Sequence, residues 1–189
     1  QLIGGHGGNG FATTAGSVGG GKAGYAFLHL KDQMLIVRDL NLNYDLRGGN
    51  GGAALGAGNT ANGADGGVAY ITPFQVRSTV DPVYGTLINR GNLAANISVK
   101  GGRGGDAEGS GNGGRGASVS LLNMIRTDAG PVRTISMSAS GGHGGHGTIG
   151  GQGGDATVRA DEIVTDLSGA PGASTSFSLR SIGGQGGFL

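Results

Sequence analysis

The sequence predicts an all-β protein built from stacked repeats, and three observations carry that expectation. Glycine makes up 46 of the 189 residues, against roughly 7% in average usage. The string Gly-Gly-x-Gly-Gly begins at Gly4, Gly48, Gly101, Gly141 and Gly183, at spacings of 44, 53, 40 and 42 residues. Between the strings run segments that are apolar at every second position, such as Leu40-x-Leu42-x-Tyr44-x-Leu46. Period two marks a strand with one buried face, and self-similarity at roughly 20–50 residues marks a repeat architecture.

The strings divide one repeat domain into units 4–47, 48–100, 101–140 and 141–182, with a partial repeat at 183–189. Each unit holds a second glycine cluster, at Gly19–Gly21, Gly63–Gly67, Gly111–Gly116 and Gly150–Gly154. After it, the unit turns apolar and alternating. Unit one has Ala23–Leu30, Met34–Val37 and Leu40–Leu46. Unit two has Val68–Ile71, Phe74–Val76 and, after an insertion, Thr86–Ile88 and Ile97–Val99. Unit three has Ala117–Leu121, Met124–Ile125 and Ile135–Met137; unit four has Ala156–Ala160, Ile163–Leu167 and Ser174–Ser181. Only Ala107–Glu108 and Asp161–Asp166 hint at a departure from strand, and glycine costs a helix about 1 kcal/mol per residue. Pro73, Pro82, Pro131 and Pro171 fall outside the best alternating runs, where a turn or sheet edge suits them.

One unit offers about six core side chains, in unit three Val119, Leu121, Leu122, Ile125, Ile135 and Met137. That burial cannot offset the entropy of ordering a whole glycine-rich unit. Units must therefore stack, each covering its neighbour's apolar face. The expected form is a parallel β-helix-like solenoid with strands in register about 4.8 Å apart. The glycine strings would serve as tight corners, or as polyproline II rods with about three residues per turn lying side by side as a glycine layer. A β-sandwich carrying such a layer is the alternative.

Composition narrows the function. Net charge is +1 and charged residues are 13%, without a basic run, so no nucleic-acid partner is expected. Cysteine is missing, which excludes disulfides and thiolate metal sites. No apolar stretch reaches the ~18 residues of a membrane span, and Gln1 leads at once into repeat sequence, so an export signal is expected to have been removed or to lie outside this sequence. His6, His143 and His146 sit in glycine strings and could form a metal ladder if the strings stacked. Yet the x of the string is His6, Asn50, Arg103, His143, Gln152 or Gln185, which reads as tolerance of any exposed side chain. Asp106 and Asp155 follow the string directly, but the apolar residue and nine-residue tandem of a calcium β-roll are missing. Asp161, Glu162 and Asp166 read as charged turn residues rather than a glycosidase pair. No phosphate loop or nucleophile stands out. No cofactor and no enzymatic activity are expected.

Ile163-Val164-Thr165, Ser181-Ile182-Gly183-Gly184 and, in part, Val119, Asn123, Ile125-Arg126-Thr127 and Gly130 resemble the glycine-rich repeats of bacterial autotransporter passenger proteins. Gln1-Leu2-Ile3-Gly4-Gly5 is similar, with Leu2 in place of serine. The likeness spans about half the chain and implies a right-handed β-helical protein of the cell surface. The glycine strings also resemble the polyproline II sandwiches of phage tail-fibre tips. That likeness implies an adhesin that reads a cell-surface receptor or glycan through loops Ala53–Ala64 and Ala107–Asn112.

Neither end carries a polar cap, so the chain is expected to adjoin further repeats or other copies of itself. The contact is expected at Gln1, Leu2 and Ile3 on one side and Ser181, Ile182, Phe188 and Leu189 on the other. A filament, stalk or fibre outside the cell follows as the leading expectation, since a heterologous contact that does not close propagates.

Overall fold

The computed structural model describes residues 1–189 except 13, 29–33, 38, 72–74, 78–85, 90–91, 128–131 and 166–173. The four prolines, His29 and Asp166 lie outside the described residues. The described residues are all-β, with no helix. β1 (Leu2–Ile3) precedes unit one, which supplies β2 (Gly10–Phe11), β3 (Ala26–Leu28), β4 (Met34–Val37) and β5 (Leu40–Arg47). Unit two supplies β6 (Ala54–Leu55), β7 (Ala69–Ile71), β8 (Gln75–Arg77), β9 (Thr86–Asn89) and β10 (Leu93–Lys100). Then come β11 (Val119–Thr127), β12 (Val132–Ser140), β13 (Ala156–Thr165) and β14 (Ser174–Ile182). Asp161–Thr165 is thus strand, with Asp161 the extra residue of a bulge opposite Asn123–Met124, and Ala107 makes a β-bridge to Ala54.

Every pairing is parallel. One sheet runs β1-β5-β10-β12-β14 in sequence order: β1 from ahead of unit one, then one strand from each unit. Its register never slips: Leu46, Val99, Ala139 and Ser181 stand in one row, and Tyr44, Ile97, Met137 and Leu179 in another. The second sheet runs β13-β11-β8-β9-β4. There the insertion of unit two adds β9 between β4 and β8, which breaks the sequence order.

The apolar alternation read from the sequence points inward. Along β10, Leu93, Ala95, Ile97 and Val99 are buried and the residues between them face out. They join Leu42, Leu46, Ile135, Met137 and Ala139 of the same sheet, and Ala26, Ala69, Ile71, Val119 and Leu121 from the opposite side, in one apolar cluster. Of the six side chains expected for unit three's core, Val119, Leu121, Ile135 and Met137 are buried and Leu122 is partly so; the Ile125 side chain is outside the described set.

The glycine strings continue the strands. Residues 4–9, 48–53, 101–106, 141–146 and 183–188 form a first layer, each directly after a strand of the first sheet. Residues 19–25, 63–68, 111–118 and 150–155 return in the opposite direction as a second layer. Within the first layer every third N–H crosses to the next tract: Gly4 to Arg47, Gly48 to Lys100, Gly101 to Ser140 and Gly141 to Ile182, all at 2.9 Å. Between layers, Gly21 and Gly24 donate to the Gly8 and Gly5 carbonyls, and Gly49 and Gly52 donate back to Gly24 and Gly21. Three residues is the turn of a polyproline II helix, and it sends successive backbone groups to three different neighbours. Backbone polar groups that strands would pair sideways are here satisfied on several sides.

Such crowding leaves no room for a side chain. A Cβ on Gly102 would lie 1.8 Å from the Gly49 carbonyl oxygen, and one on Gly142 would lie 1.9 Å from that of Gly102. Gly5 and Gly8, at the outer edge, have nothing within 4 Å of that position. Gly102→Ala is therefore expected to destabilise by about 3 kcal/mol or more. Gly5→Ala should stay within about 0.5 kcal/mol of the parent in denaturant unfolding of the single chain.

Candidate functional site

The expected contact residues fall on two opposite edges of the first sheet and layer. Leu2 and Ile3 lie on β1, paired to Leu46 and Arg47. Ser181 and Ile182 end β14, and Phe188 and Leu189 follow in the last tract. Leu2, Ile3, Ile182, Phe188 and Leu189 are all exposed. Gln1 is held at its edge by its amide, which donates to Asp45 (2.8 Å).

Both edges are unfinished in the same sense. The rows of buried side chains from β5, β10 and β12 run on to β14, where nothing covers them. Ile135 and Met137 are 1% and 0% exposed, whereas their row partners Phe177 and Leu179 are 39% and 49% exposed. Sequence reasoning missed these two residues. The alternation of Ser174–Ser181 marks them as core, and only the stacking order shows that their row ends there.

The backbone is unfinished too, and with opposite polarity at the two edges. In each tract from the first to the fourth, the N–H groups at the string's first and fourth positions reach the following tract. Gly183 and Gly186 hold those positions in the last tract and make no backbone hydrogen bond among the described residues. At the other edge Ile3 and His6 hold the positions whose carbonyls accept in every later tract, as at Arg47 and Asn50. Gly5 and Gly8 likewise match Gly49 and Gly52, whose missing side chains make room for the preceding tract.

The x residues have a role that their variety concealed. Where the preceding tract's x side chain carries an acceptor, it accepts their N–H groups. His6 Nδ1 accepts from Asn50 N–H (2.9 Å), Asn50 Oδ1 from Arg103 N–H (3.0 Å) and His143 Nδ1 from Gln185 N–H (2.9 Å). Three residues on, Asn9 accepts from Ala53, Asp106 from His146 and His146 Nδ1 from Phe188. The second layer repeats the device with Asn62 to Asn112 and Asp65 to Arg115. The device uses a short side chain with an acceptor, which His, Asn and Asp supply; Arg103 and Ala53 hold equivalent places without one.

The position still admits Arg103, which has no acceptor, so the variety of x stands; the stacking order separates the histidines. His6 and His143 belong to the first and fourth tracts with Asn50 and Arg103 between them, and each spends Nδ1 on a backbone N–H. No group of three or more His, Cys, Asp or Glu able to hold a metal occurs among the described residues. Asp106 is engaged by the His146 N–H and by Arg103 Nη2 (2.7 Å).

The loops that join the layers are pinned from inside at single residues, while Ala57, Gly58, Thr60, Asn62 and Glu108–Ser110 are exposed. Gly56 (φ 110°) and Gly109 (φ 70°) supply left-handed turns. Asn59 is fully buried: its amide donates to the Val18 and Leu55 carbonyls and its oxygen accepts from Val18 and Ala61 N–H. On the far face Tyr25, Phe27 and Tyr70 are exposed, with the Phe27 and Tyr70 ring centroids 4.8 Å apart.

No family model matches the chain, and no curated protein matches it. Among solved structures it is similar to the nine polyproline type II helical bundle springtail antifreeze protein from Granisotoma rainieri. That match has 20% identity over 100% of this chain and 91% of the other, with a TM-score of 0.32. At that score the likeness carries neither fold nor activity across.

Asp45 gives the first edge a pH dependence. Its hydrogen bonds from Arg47 hold the carboxyl below the usual range, against a smaller upward push from burial. A lowered carboxyl pKa stabilises above the unfolded value of about 3.9 and loses that contribution as pH falls through the lower folded value. The side-chain amide protons of Gln1 should keep their bound NMR signature at about pH 4 and lose it only as pH falls through the lowered Asp45 value, and Asp45→Asn should shift them at neutral pH. The pair is exposed, so the melting temperature should change little.

Proposed function

We propose that the chain is a structural protein of the cell exterior. In this reading it is a two-layered β-solenoid that builds a fibre or stalk by joining copies head to tail, or as one stretch of a longer repeat protein. The observation that carries the reading is the complementarity of the two edges. A second copy placed with its β1 edge against β14 continues the register of the first sheet and puts Leu2 in the row of Ser181. Gly183 and Gly186 N–H then face the carbonyls of Ile3 and His6, and the Gln185 amide oxygen faces the His6 N–H. Gly5 and Gly8 leave the space that this approach needs.

The same step seats Leu2 and Ile3 beside Ser181 and Ile182, which buries part of their exposed apolar side chains, while Phe177 and Leu179 lie beyond the reach of β1. Because the contact is heterologous and translational, it propagates instead of closing. Negative-stain microscopy of the purified chain is expected to show elongated particles that lengthen with concentration. A compact, monodisperse globule at all concentrations would overturn the reading. Gly5→Val/Gly8→Val should abolish elongation while leaving the melting temperature of the single chain unchanged.

An adhesin is the second reading, favoured by the exposed Tyr25, Phe27 and Tyr70. Aromatic faces at low entropy cost are common recognition elements, and this cluster lies on and beside β3 and β7, outside the first sheet. On this reading Tyr25→Ser/Tyr70→Ser lowers binding to a glycan array or to cells at least tenfold and leaves elongation intact. Unchanged binding removes the adhesin reading.

A further inference from the structure

Adjacent tracts within each glycine layer are bonded to one another laterally, with one exception. In the second layer Gly63 and Gly66 donate to the Asn112 and Arg115 carbonyls, and Gly113 and Gly116 to those of Ile149 and Gln152, at 2.8–2.9 Å. Gly20 and Ala23 hold the same places in residues 19–25, opposite the Asn62 and Asp65 carbonyls. Neither N–H makes a backbone hydrogen bond, and neither carbonyl accepts one, among the described residues. The pairing resumes on both sides of this gap in one common register, at Gly16 with Asn59 and at Ala26 with Ala69.

Three residues account for the gap. Ala64 stands where Gly114 and Gly151 stand in the following tracts, and a Cβ at those glycines would lie 2.1 and 1.9 Å from a carbonyl oxygen of the tract before. The Ala64 methyl therefore holds the Gly20–Ala23 backbone off. Gly19 and Lys22 stand where Asn62 and Asp65 stand, and their side chains carry no acceptor. Asn62 and Asp65 accept the N–H groups of Asn112 and Arg115, but their own N–H groups meet no such partner. The result is a cleft of about 520 Å³ between the two tracts, within the roughly 300–1,000 Å³ usual for small-ligand sites.

We propose that this cleft binds an acidic glycan, through a sugar ring that carries an anionic group. The unspent lateral groups are four N–H, of Gly20, Ala23, Asn62 and Asp65, against two carbonyls. Convergent backbone N–H groups bind anions, and hydrogen bonds to a charged acceptor are the stronger kind. Lys22 lines the cleft without an ion pair among the described residues, and supplies the countercharge. Asp65 does not oppose the anion directly, because its Oδ1 accepts from the Arg115 N–H of the next tract (2.7 Å). The Asn62 and Asp65 carbonyls accept from ring hydroxyls. Tyr25, 73% exposed and lining the same cleft, offers an aromatic face to the apolar face of the ring. A peptide in this place brings one backbone donor for each acceptor and leaves the surplus N–H groups unmet.

This names the ligand class for the adhesin reading and rests on that reading for its biological use. Binding in the cleft itself needs neither a cell nor a filament, and Tyr70 does not line it.

The test uses the ¹⁵N-labelled full chain carrying Gly5→Val/Gly8→Val, so that its outcome is separate from elongation. Tetragalacturonic acid and a sulfated carrageenan tetrasaccharide are the anionic probes; methyl-esterified tetragalacturonate and maltotetraose are the neutral ones. Saturable shifts at the Gly20, Ala23, Asn62 and Asp65 amides are expected with an anionic probe, at least tenfold tighter than with either neutral one. The better anionic probe tells a carboxylate from a sulfate. Lys22→Asn, which removes the cation and supplies an acceptor for the Asp65 N–H, should weaken binding at least fivefold. Ala64→Gly lets the two tracts close: it should slow hydrogen exchange at Gly20 and Ala23, keep the melting temperature and weaken binding at least tenfold. No shift with either anionic probe, equal binding by the methyl ester, or full affinity in an Ala64→Gly variant whose exchange has slowed overturns the proposal. Cell binding that is lost in Tyr25→Ser/Tyr70→Ser, together with no shift from either anionic probe, overturns this inference and leaves the adhesin reading standing.

Discussion

Close approach of backbone to backbone is the constraint on which the rest of this structure depends. Carbonyl oxygens of one glycine tract occupy the volume in which the next tract's Cβ atoms would sit, repeatedly at about 2 Å from those positions. That approach brings N–H and C=O groups of separate tracts to 2.7–3.0 Å of one another in both layers. It also sets the lateral spacing of the tracts, which the strands that continue them must share. The constant register of the first sheet and the glycine layer are therefore one arrangement seen at its two ends.

The division of labour along each unit follows. Where side chains alternate, apolar burial between two parallel sheets supplies cohesion, with Ile97, Leu121, Ile135 and Met137 at its centre. Where glycine dominates, there is almost no side chain to bury and hydrogen bonding replaces it. Where the x side chain is His or Asn, it extends that bonding to the outer face by accepting the next tract's N–H.

Much of the fold was legible because it is periodic. The spacing of Gly-Gly-x-Gly-Gly located the tracts, and the alternation at Leu40–Leu46 and Ile135–Met137 located strands and the side of each that is buried. Strand order in the second sheet was not legible: the insertion before Thr86 supplies a strand, but nothing local says that it enters beside β4. The edge residues were legible at Leu2, Ile3, Ser181 and Ile182, since they flank the glycine strings. Phe177 and Leu179 were not, because their pattern is that of buried core and their exposure depends on how many rows precede them. The acceptor role of His6, Asn50 and His143 was hidden for a related reason. It links residues some 40–50 positions apart and shows only when the tracts are laid side by side.

The thinness of the core beside the glycine layers bears on temperature. The heat-capacity change of unfolding rises with the apolar surface exposed and falls with the polar surface exposed. A chain that orders much of its length through amide contacts should therefore unfold with a heat-capacity change below the usual ~12–15 cal/mol/K per residue. Its stability curve is then broad and shallow, so that the folded state loses little on cooling. The same scarcity of side chains that forces the tracts together flattens the thermal response of the whole.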